Sequence, residues 1–385
     1  MAGPRRLVQR SLVLLVLLVA CTHRLPAAGL TPSASPSLSE PGTASPSVSP
    51  DISAAPSRSA PPVPRFIAVT SFSGGSIIGV RLINLSGRTV ASYHGTGISS
   101  VTTSNTKVYF LIGLKEVRFL TPIGAGGRLA DLPSIPNETS AHIAVSPDDS
   151  TVAYGLLAEK HSGSNGQIVT GSRAILGTQT LSGIHRRVFL SLKDAAAYQW
   201  PEAWHQGAVV VHHLELATSG YELLNPQTGT REATLCPDPS GSAESGPLTP
   251  QGVACERDSE GNSVIGFADW STGIHVYSTD KRLLGICAAS LTGAAILRAG
   301  TPDPTYLISK NGTVKQLAHT YAPIGWISDS RLLVVQYTLG FRGGTNTPGF
   351  LSPSSETFTP ISIPITNSGN INGGIGWGGS IPATT

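Results

Sequence analysis

The sequence predicts an all-β protein built from small antiparallel sheets repeated along the chain. Three observations lead there. Charged residues make up 13% of the chain, about half of the ~25% usual in soluble proteins. The 43 glycines and 29 prolines punctuate short runs rich in Val, Ile and Leu, the composition of strands joined by tight turns. A strand–turn–strand signal also recurs, clearest at residues 143–154, which read Ile-Ala-Val-Ser-Pro-Asp-Asp-Ser-Thr-Val-Ala-Tyr. Two apolar runs there flank the polar turn Ser146-Pro147-Asp148-Asp149. A formal charge of +3 is too small to point to nucleic acid.

The chain begins with a targeting segment. Arg5, Arg6 and Arg10 precede an apolar run at residues 12–20, well short of the ~20 residues a membrane-spanning helix needs. A basic start with a short apolar run reads as a secretory signal, residues 1–20. It ends Leu18-Val19-Ala20-Cys21, which resembles the lipobox of bacterial lipoproteins. The resemblance implies cleavage before Cys21 and a lipid on that cysteine, holding the protein at the cell membrane on its extracytoplasmic side. Residues 21–64 are dominated by Ser, Pro, Ala and Thr. They cannot bury a core and read as a disordered tether. About 40 residues at ~3.1 Å each give it a contour near 120 Å.

Residues 65–365 hold the repeats. Strand–turn–strand pairs are expected at 101–110, 143–154, 200–211 (turning through 202–207), 253–267, 288–297 and 325–335. Hairpins with short polar turns alternate with them, as at 77–93 around Leu85-Ser86-Gly87-Arg88, 221–236, 274–287 and 305–318. Asn311-Gly312 in the last is a strong two-residue turn signal, because type I′ turns need positive φ at both central positions. Segments 116–132, 173–192 and 349–363 fill the same role. The spacing centres on the 40-odd residues of a four-stranded propeller blade. One such blade cannot bury both faces, whereas blades stacked about an axis can. A seven-bladed β-propeller is expected, with six or eight blades as the alternatives. The Ser-Pro-Asp of residues 146–148 resembles the repeat of TolB-type, WD40-like β-propellers, with Trp200-Pro201-Glu202 and Trp326-Ile327-Ser328-Asp329 as looser copies. The resemblance implies that Asp148 and Asp329 stabilise turns between inner strands. The first blade lacks an inner strand, and the Gly/Asn-rich tail 366–385, with Ile375 and Trp377, either supplies it or hangs free.

The remaining cysteines are Cys236, Cys255 and Cys287. An exported chain with three allows one bridge and one spare thiol. Cys236–Cys255 would cinch the Pro/Ser/Gly-rich stretch between them, and Cys255–Cys287 is the rival. His212-His213-Leu214-Glu215 is the one ligand-like cluster. Strand alternation puts His213 and Glu215 on one face, short of the three or four ligands that zinc takes. No metal and no cofactor is expected, and no local catalytic motif is found. In propellers the longer connections share one face. Here they include 158–170, with Lys160, His161 and Asn165, then 237–250, and 339–348, with Phe341 and Arg342. Loops on a rigid scaffold commonly carry function, so these residues are the expected partner site. The reading is a lipid-anchored, non-enzymatic binding or assembly module for a protein or glycan partner. The alternatives are an exported propeller enzyme (hydrolase, lyase or cofactor-dependent dehydrogenase) with its site at the ring mouth, and a sensor subunit of a membrane system.

Overall fold

A computed structural model describes residues 64–382 apart from 74–75, 163–167, 194–197, 215–218, 236–242, 250–251, 260–261, 270–272, 279–285, 290–294, 299–304, 309–312, 329, 339–344 and 364–374. Between residues 243 and 298 the backbone alone is described. The signal segment, Cys21, the tether up to residue 63, Asn165, Glu215, Cys236, Asp329, Phe341 and Arg342 lie outside the described residues.

Among the described residues there are strands and no helix. The chain opens with β1 (Pro64–Ser73), β2 (Ser76–Asn84), β3 (Thr89–Thr103), β4 (Val108–Ile112), β5 (Glu116–Leu120) and β6 (Gly126–Arg128). A second sheet follows with β7 (Glu138–Val145), β8 (Thr151–Ser162), β9 (Ile168–Thr180) and β10 (Arg187–Lys193). The third holds β11 (Tyr198–His205), β12 (Ala208–Leu214), β13 (Ser219–Leu224) and β14 (Arg231–Leu235). The fourth holds β15 (Ala243–Thr249), β16 (Gly252–Ser259), β17 (Asn262–Asp269) and β18 (Gly273–Ser278). The fifth holds β19 (Ile286–Ala289), β20 (Ala295–Arg298), β21 (Thr305–Ile308) and β22 (Val314–Gln316). The sixth holds β23 (Thr320–Ser328), β24 (Arg331–Thr338), β25 (Thr345–Ser352) and β26 (Thr357–Pro360). Finally β27 (Ile375–Pro382) returns to the first sheet, whose order is β27-β1-β2-β3-β4-β5-β6.

That first sheet is two four-stranded groups sharing the long β3. Its N-terminal part pairs with β2 and its C-terminal part, from Ile98 to Thr103, pairs with β4. All pairings are antiparallel, as short turns allow. Packing runs from β27 to β3, to β7, to β11, past β13 to β15, then to β19, to β23 and back to β27. This is the radial arrangement of a β-propeller, which leaves only short sheet edges. The tail closes it: Ile375 and Trp377 sit on β27 opposite Ser71 and Val69 of β1.

Apolar faces of successive groups fill the spaces between them. Ile67, Val69 and Ile83 from the first strands pack with Leu333, Phe350 and Ile375. Tyr109 and Leu111 pack with Ile143, Val145 and Tyr154. Ala153 and Leu176 pack with Val209, Val211 and Leu224. Each such aliphatic side chain contributes about 1.5–3 kcal/mol when fully buried. Polar links add register. The Ser100 hydroxyl of β3 accepts from the Ile143 amide of β7 at 3.2 Å, and the Trp204 indole of β11 donates to the Ala144 carbonyl of β7 at 2.9 Å.

Three expectations are corrected. Residues 253–267 read as a strand–turn–strand pair of the same kind as 143–154, which forms the first two strands of its sheet, but β16 and β17 are the middle strands and β15 lies on the edge, inside the stretch 237–250 expected to be a loop. Pro247 masked it, since Pro is confined to sheet edges, where β15 sits. The connection 158–170 is mostly strand, because β8 and β9 continue pairing out to Ser162 and Ile168. The turn of residues 202–207 shrinks to Gln206-Gly207, whose φ values of 48° and 86° are both positive, the two-residue turn that Gly accommodates. Glu202 therefore lies on β11 and not in a turn.

Candidate functional site

The densest polar chemistry among the described side chains spans β7, β11, β12 and β13. Antiparallel register sets Trp200 opposite His212, and His212 opposite Tyr221. Cross-strand partners share a face, so three rings form a row. His212 stacks on Tyr221 with centroids 4.6 Å apart, and Trp200 meets His212 edge-on at 5.1 Å. From the neighbouring group, His142 of β7 stacks on Trp200 at 5.0 Å with planes 18° apart. The bulge between Pro201 and Ala203 breaks the register here. Two residues on from Trp200, Glu202 accepts the indole N–H through Oε1 at 2.6 Å.

The surroundings tune these groups. Burial pushes the Glu202 carboxyl up to about 7, against the opposing effect of the Trp200 bond. Burial pushes His142 down to about 4. Burial, then the neighbouring imidazoles of His213 and His142, take His212 down to about 3. Burial and then the Glu202 carboxylate hold the Tyr221 hydroxyl well above its usual range. At neutral pH both imidazoles are uncharged and Glu202 is poised between its two states. A carboxyl with a matched pKa, beside partly buried aromatic rings, can exchange a proton with a ligand and orient it. The row lies in the half of the β11–β12 hairpin away from its Gln206-Gly207 turn, toward the face of the longer connections.

A second feature lies on the opposite, tight-turn face. A cleft of about 440 Å³ opens between the last sheet and the β2–β3 turn, lined by Leu85, Ser328, Ser330, Arg331, Ser352 and Thr357 among others. The Arg331 guanidinium lies 4.2 Å over the Phe350 ring. Burial pulls its pKa down.

The sequence-singled residues scatter. Lys160 and His161 lie on β8, paired with Gly171 and Val169, and His161 Nε2 is 3.3 Å from Glu159 Oε2. Asp148 is exposed in the β7–β8 turn, where it accepts from the Ser146 hydroxyl at 2.6 Å and the Ser150 amide at 3.1 Å. Asp149, read in the sequence only as part of that turn, reaches back to the preceding group and accepts from the Tyr109 hydroxyl at 2.7 Å and Lys107 Nζ at 3.1 Å. Cys255 sits on β16 and Cys287 on β19, strands of successive sheets and not of one. His212 and His213 face opposite sides of β12; His213 lies over Gly220. Among the described residues no three His, Cys, Asp or Glu side chains converge as a metal would need. Sequence reasoning named His212 as ligand-like and Trp200 and Glu202 only as part of a repeat signal, and it did not single out His142 or Tyr221. The signal was the pairing of Trp200, His212 and Tyr221, which only a correct register reveals.

The sequence matches no protein-family model and no curated protein. Solved structures do resemble the fold. Oligogalacturonate lyase from Vibrio parahaemolyticus superposes with a TM-score of 0.51 at 8% identity, covering 76% of this chain and 92% of that one. TolB from Acinetobacter baumannii gives 0.40 at 11%, covering 82% and 67%. Virginiamycin B lyase from Staphylococcus aureus gives 0.41 at 15%, covering 75% and 88%. At 8% identity the first of these likenesses shows the fold alone, in agreement with the radial sheets described above. It also overturns one expectation. The chain was read as non-enzymatic because it lacks a local motif, yet an enzyme shares its architecture over nearly all of that enzyme's length. Catalytic groups on such a ring come from several sheets, so a missing motif does not argue against activity.

Proposed function

We propose that this is a lipid-anchored, extracytoplasmic β-propeller of seven blades that receives a glycan ligand at the His142–Trp200–Glu202–His212–Tyr221 cluster. The observation that carries the reading is the cluster itself. Aromatic planes and a carboxyl converge from two neighbouring groups, and sugars are bound by ring stacking combined with a few fixed polar groups. The chain enters the ring at Pro64, at the tight-turn face, so the opposite face, toward which the cluster lies, is left clear of the tether's point of attachment. Isothermal titration of the full chain against cell-envelope oligosaccharides tests the site. Trp200→Ala is expected to weaken binding by at least tenfold, and equal affinity in both proteins removes the cluster from the proposal. Radiolabelled palmitate tests the anchor, with label expected on the wild type and absent from Cys21→Ser.

A second reading is favoured by Glu202 in particular. With its carboxyl near 7 and Tyr221 beside it, the residue is set to act as a proton donor or acceptor toward the bound ligand, which makes the protein an exported hydrolase or lyase. Assay of the same oligosaccharides for reducing ends or unsaturated products, with Glu202→Gln as control, decides it. Turnover that survives the substitution excludes Glu202 as the acting group.

A further inference from the structure

Charge is segregated around the ring. Residues 65–115 and 305–385, which meet where β27 joins β1, carry nine Lys/Arg against two Asp/Glu; residues 116–304 carry twelve against nineteen. One side of the propeller is therefore net +7 and the other net −7 by sequence. No Asp or Glu occurs from residue 52 to residue 115.

Within the positive side, three arginines lie at the tight-turn face. Arg65 is exposed at the start of β1, Arg88 is exposed at the end of the β2–β3 turn, and Arg331 lines the cleft at the start of β24. None forms an ion pair among the described residues, whereas the lysines nearby do: Lys107 with Asp149 at 3.1 Å and Lys315 with Glu356 at 2.7 Å. The β2–β3 turn is held against the residues that follow the last sheet, since a Cβ at Gly87 would collide with the Ile361 side chain. Arg331, and Leu85 from the turn that ends at Arg88, line one cleft of about 440 Å³ whose walls carry the hydroxyls of Ser328, Ser330, Ser352 and Thr357. Cations and hydroxyl donors around a concavity of this size suit one phosphate-bearing headgroup. The first 63 residues of the chain lead into β1 on this same face.

We propose that the tight-turn face of the positive side docks on an anionic phospholipid surface, with a headgroup phosphate in the Arg331 cleft. The proposal shares with the reading above the position of the membrane relative to Pro64, but it does not depend on lipid at Cys21. Each basic residue near an anionic bilayer strengthens binding by about fivefold, so three together give about a hundredfold. The attraction is long-range and is screened by salt.

The test is co-sedimentation with vesicles of phosphatidylcholine alone or mixed with phosphatidylglycerol. The chain used starts at Cys21→Ser, so that neither a lipid nor the basic, apolar residues 5–20 bind on their own account; every described strand lies beyond residue 63. Sedimentation with the mixed vesicles is expected, with loss at high salt and about a hundredfold weakening in Arg65→Gln/Arg88→Gln/Arg331→Gln. Should that variant melt early, Ser330→Asp, which adds one negative charge at an exposed position on the cleft wall, takes its place and is expected to weaken binding by about fivefold. Equal binding to neutral vesicles overturns the proposal, as does full binding by both variants. Inorganic phosphate that binds as tightly as the mixed vesicles assigns the cleft to free anions and overturns the lipid source. Palmitate labelling at Cys21 is read separately, so a failed anchor and a failed docking face give different results.

Discussion

Asp149 is the side chain whose removal should cost the ring most for its size. It stands in the β7–β8 turn at φ 59° and accepts hydrogen bonds from Thr106, Lys107 and Tyr109 of the preceding group. Its side chain is 13% exposed, and Tyr109 is 1% exposed. In Asp149→Ala the Tyr109 hydroxyl is stranded without its acceptor, which costs about 1–3 kcal/mol beyond the bond's own ~1 kcal/mol. Lys107 is partly solvated, so its ion pair adds at most ~1 kcal/mol. Alanine also tolerates positive φ less well than aspartate. The total is about 3–4 kcal/mol, which lowers the melting temperature by about 6–12 °C at the scale of a large domain. Differential scanning calorimetry measures it. A double-mutant cycle with Tyr109→Phe isolates the link, with an expected coupling of about 1–2 kcal/mol. Coupling near zero, or a melting point for Asp149→Ala within 1 °C of wild type by this ~1 kcal/mol scale, refutes the idea that this carboxylate ties two groups together.

The same residue fixes a sign for pH. Burial pushes the Asp149 carboxyl up, but the bonds from Ser104, Thr106, Tyr109 and Lys107 outweigh it, and the group ends below the usual aspartate range. A depressed carboxylate contributes stability that is present above its unfolded value of ~3.9 and is lost as pH falls through the folded value. The gap between wild type and Asp149→Ala should therefore narrow below about pH 4.

Three further outcomes follow from other contacts. Glu202 has the opposite sign: its folded value near 7 lies above the unfolded ~4.3, so its contribution is present at low pH and lost as pH rises toward 7; Glu202→Gln should gain on wild type across that window in thermal melts. Gly229 has φ 74° and a Cβ there would collide with the Phe189 carbonyl, so Gly229→Ala should melt several degrees lower, while Gly207→Ala, at φ 86° with nothing within 4 Å, loses only the backbone term of about 1 kcal/mol. Ending the chain at Ile363 deletes β27 and leaves the β1 edge unpaired from Phe66 to Ser71, so light scattering should show oligomers absent from the full chain.

The sequence makes the turns legible because their chemistry is local. Ser146, Asp148 and Ser150 satisfy each other within five residues, and Asn84 accepts the amides of Ser86 and Arg88 within its own turn. Turns of this kind are written in side chains that bond their own backbone, and counting them gives the ring. Where a strand carries no such punctuation the phase slips: β15 reads Ala-Glu-Ser-Gly-Pro-Leu-Thr, with neither alternation nor β-branched density to mark it. The candidate site is less legible still. His142, Trp200, Glu202, His212 and Tyr221 come from four strands, and each in isolation reads as a polar or aromatic residue in an ordinary strand. What joins them is register, and a shift of one residue would turn every member of the row to the other face. The bulge after Pro201 and the tight Gln206-Gly207 turn set that register. A search of related chains for this site should therefore track the turn and the bulge along with the ring residues, because a homologue that keeps Trp200 and His212 but lengthens the turn between them no longer places them side by side.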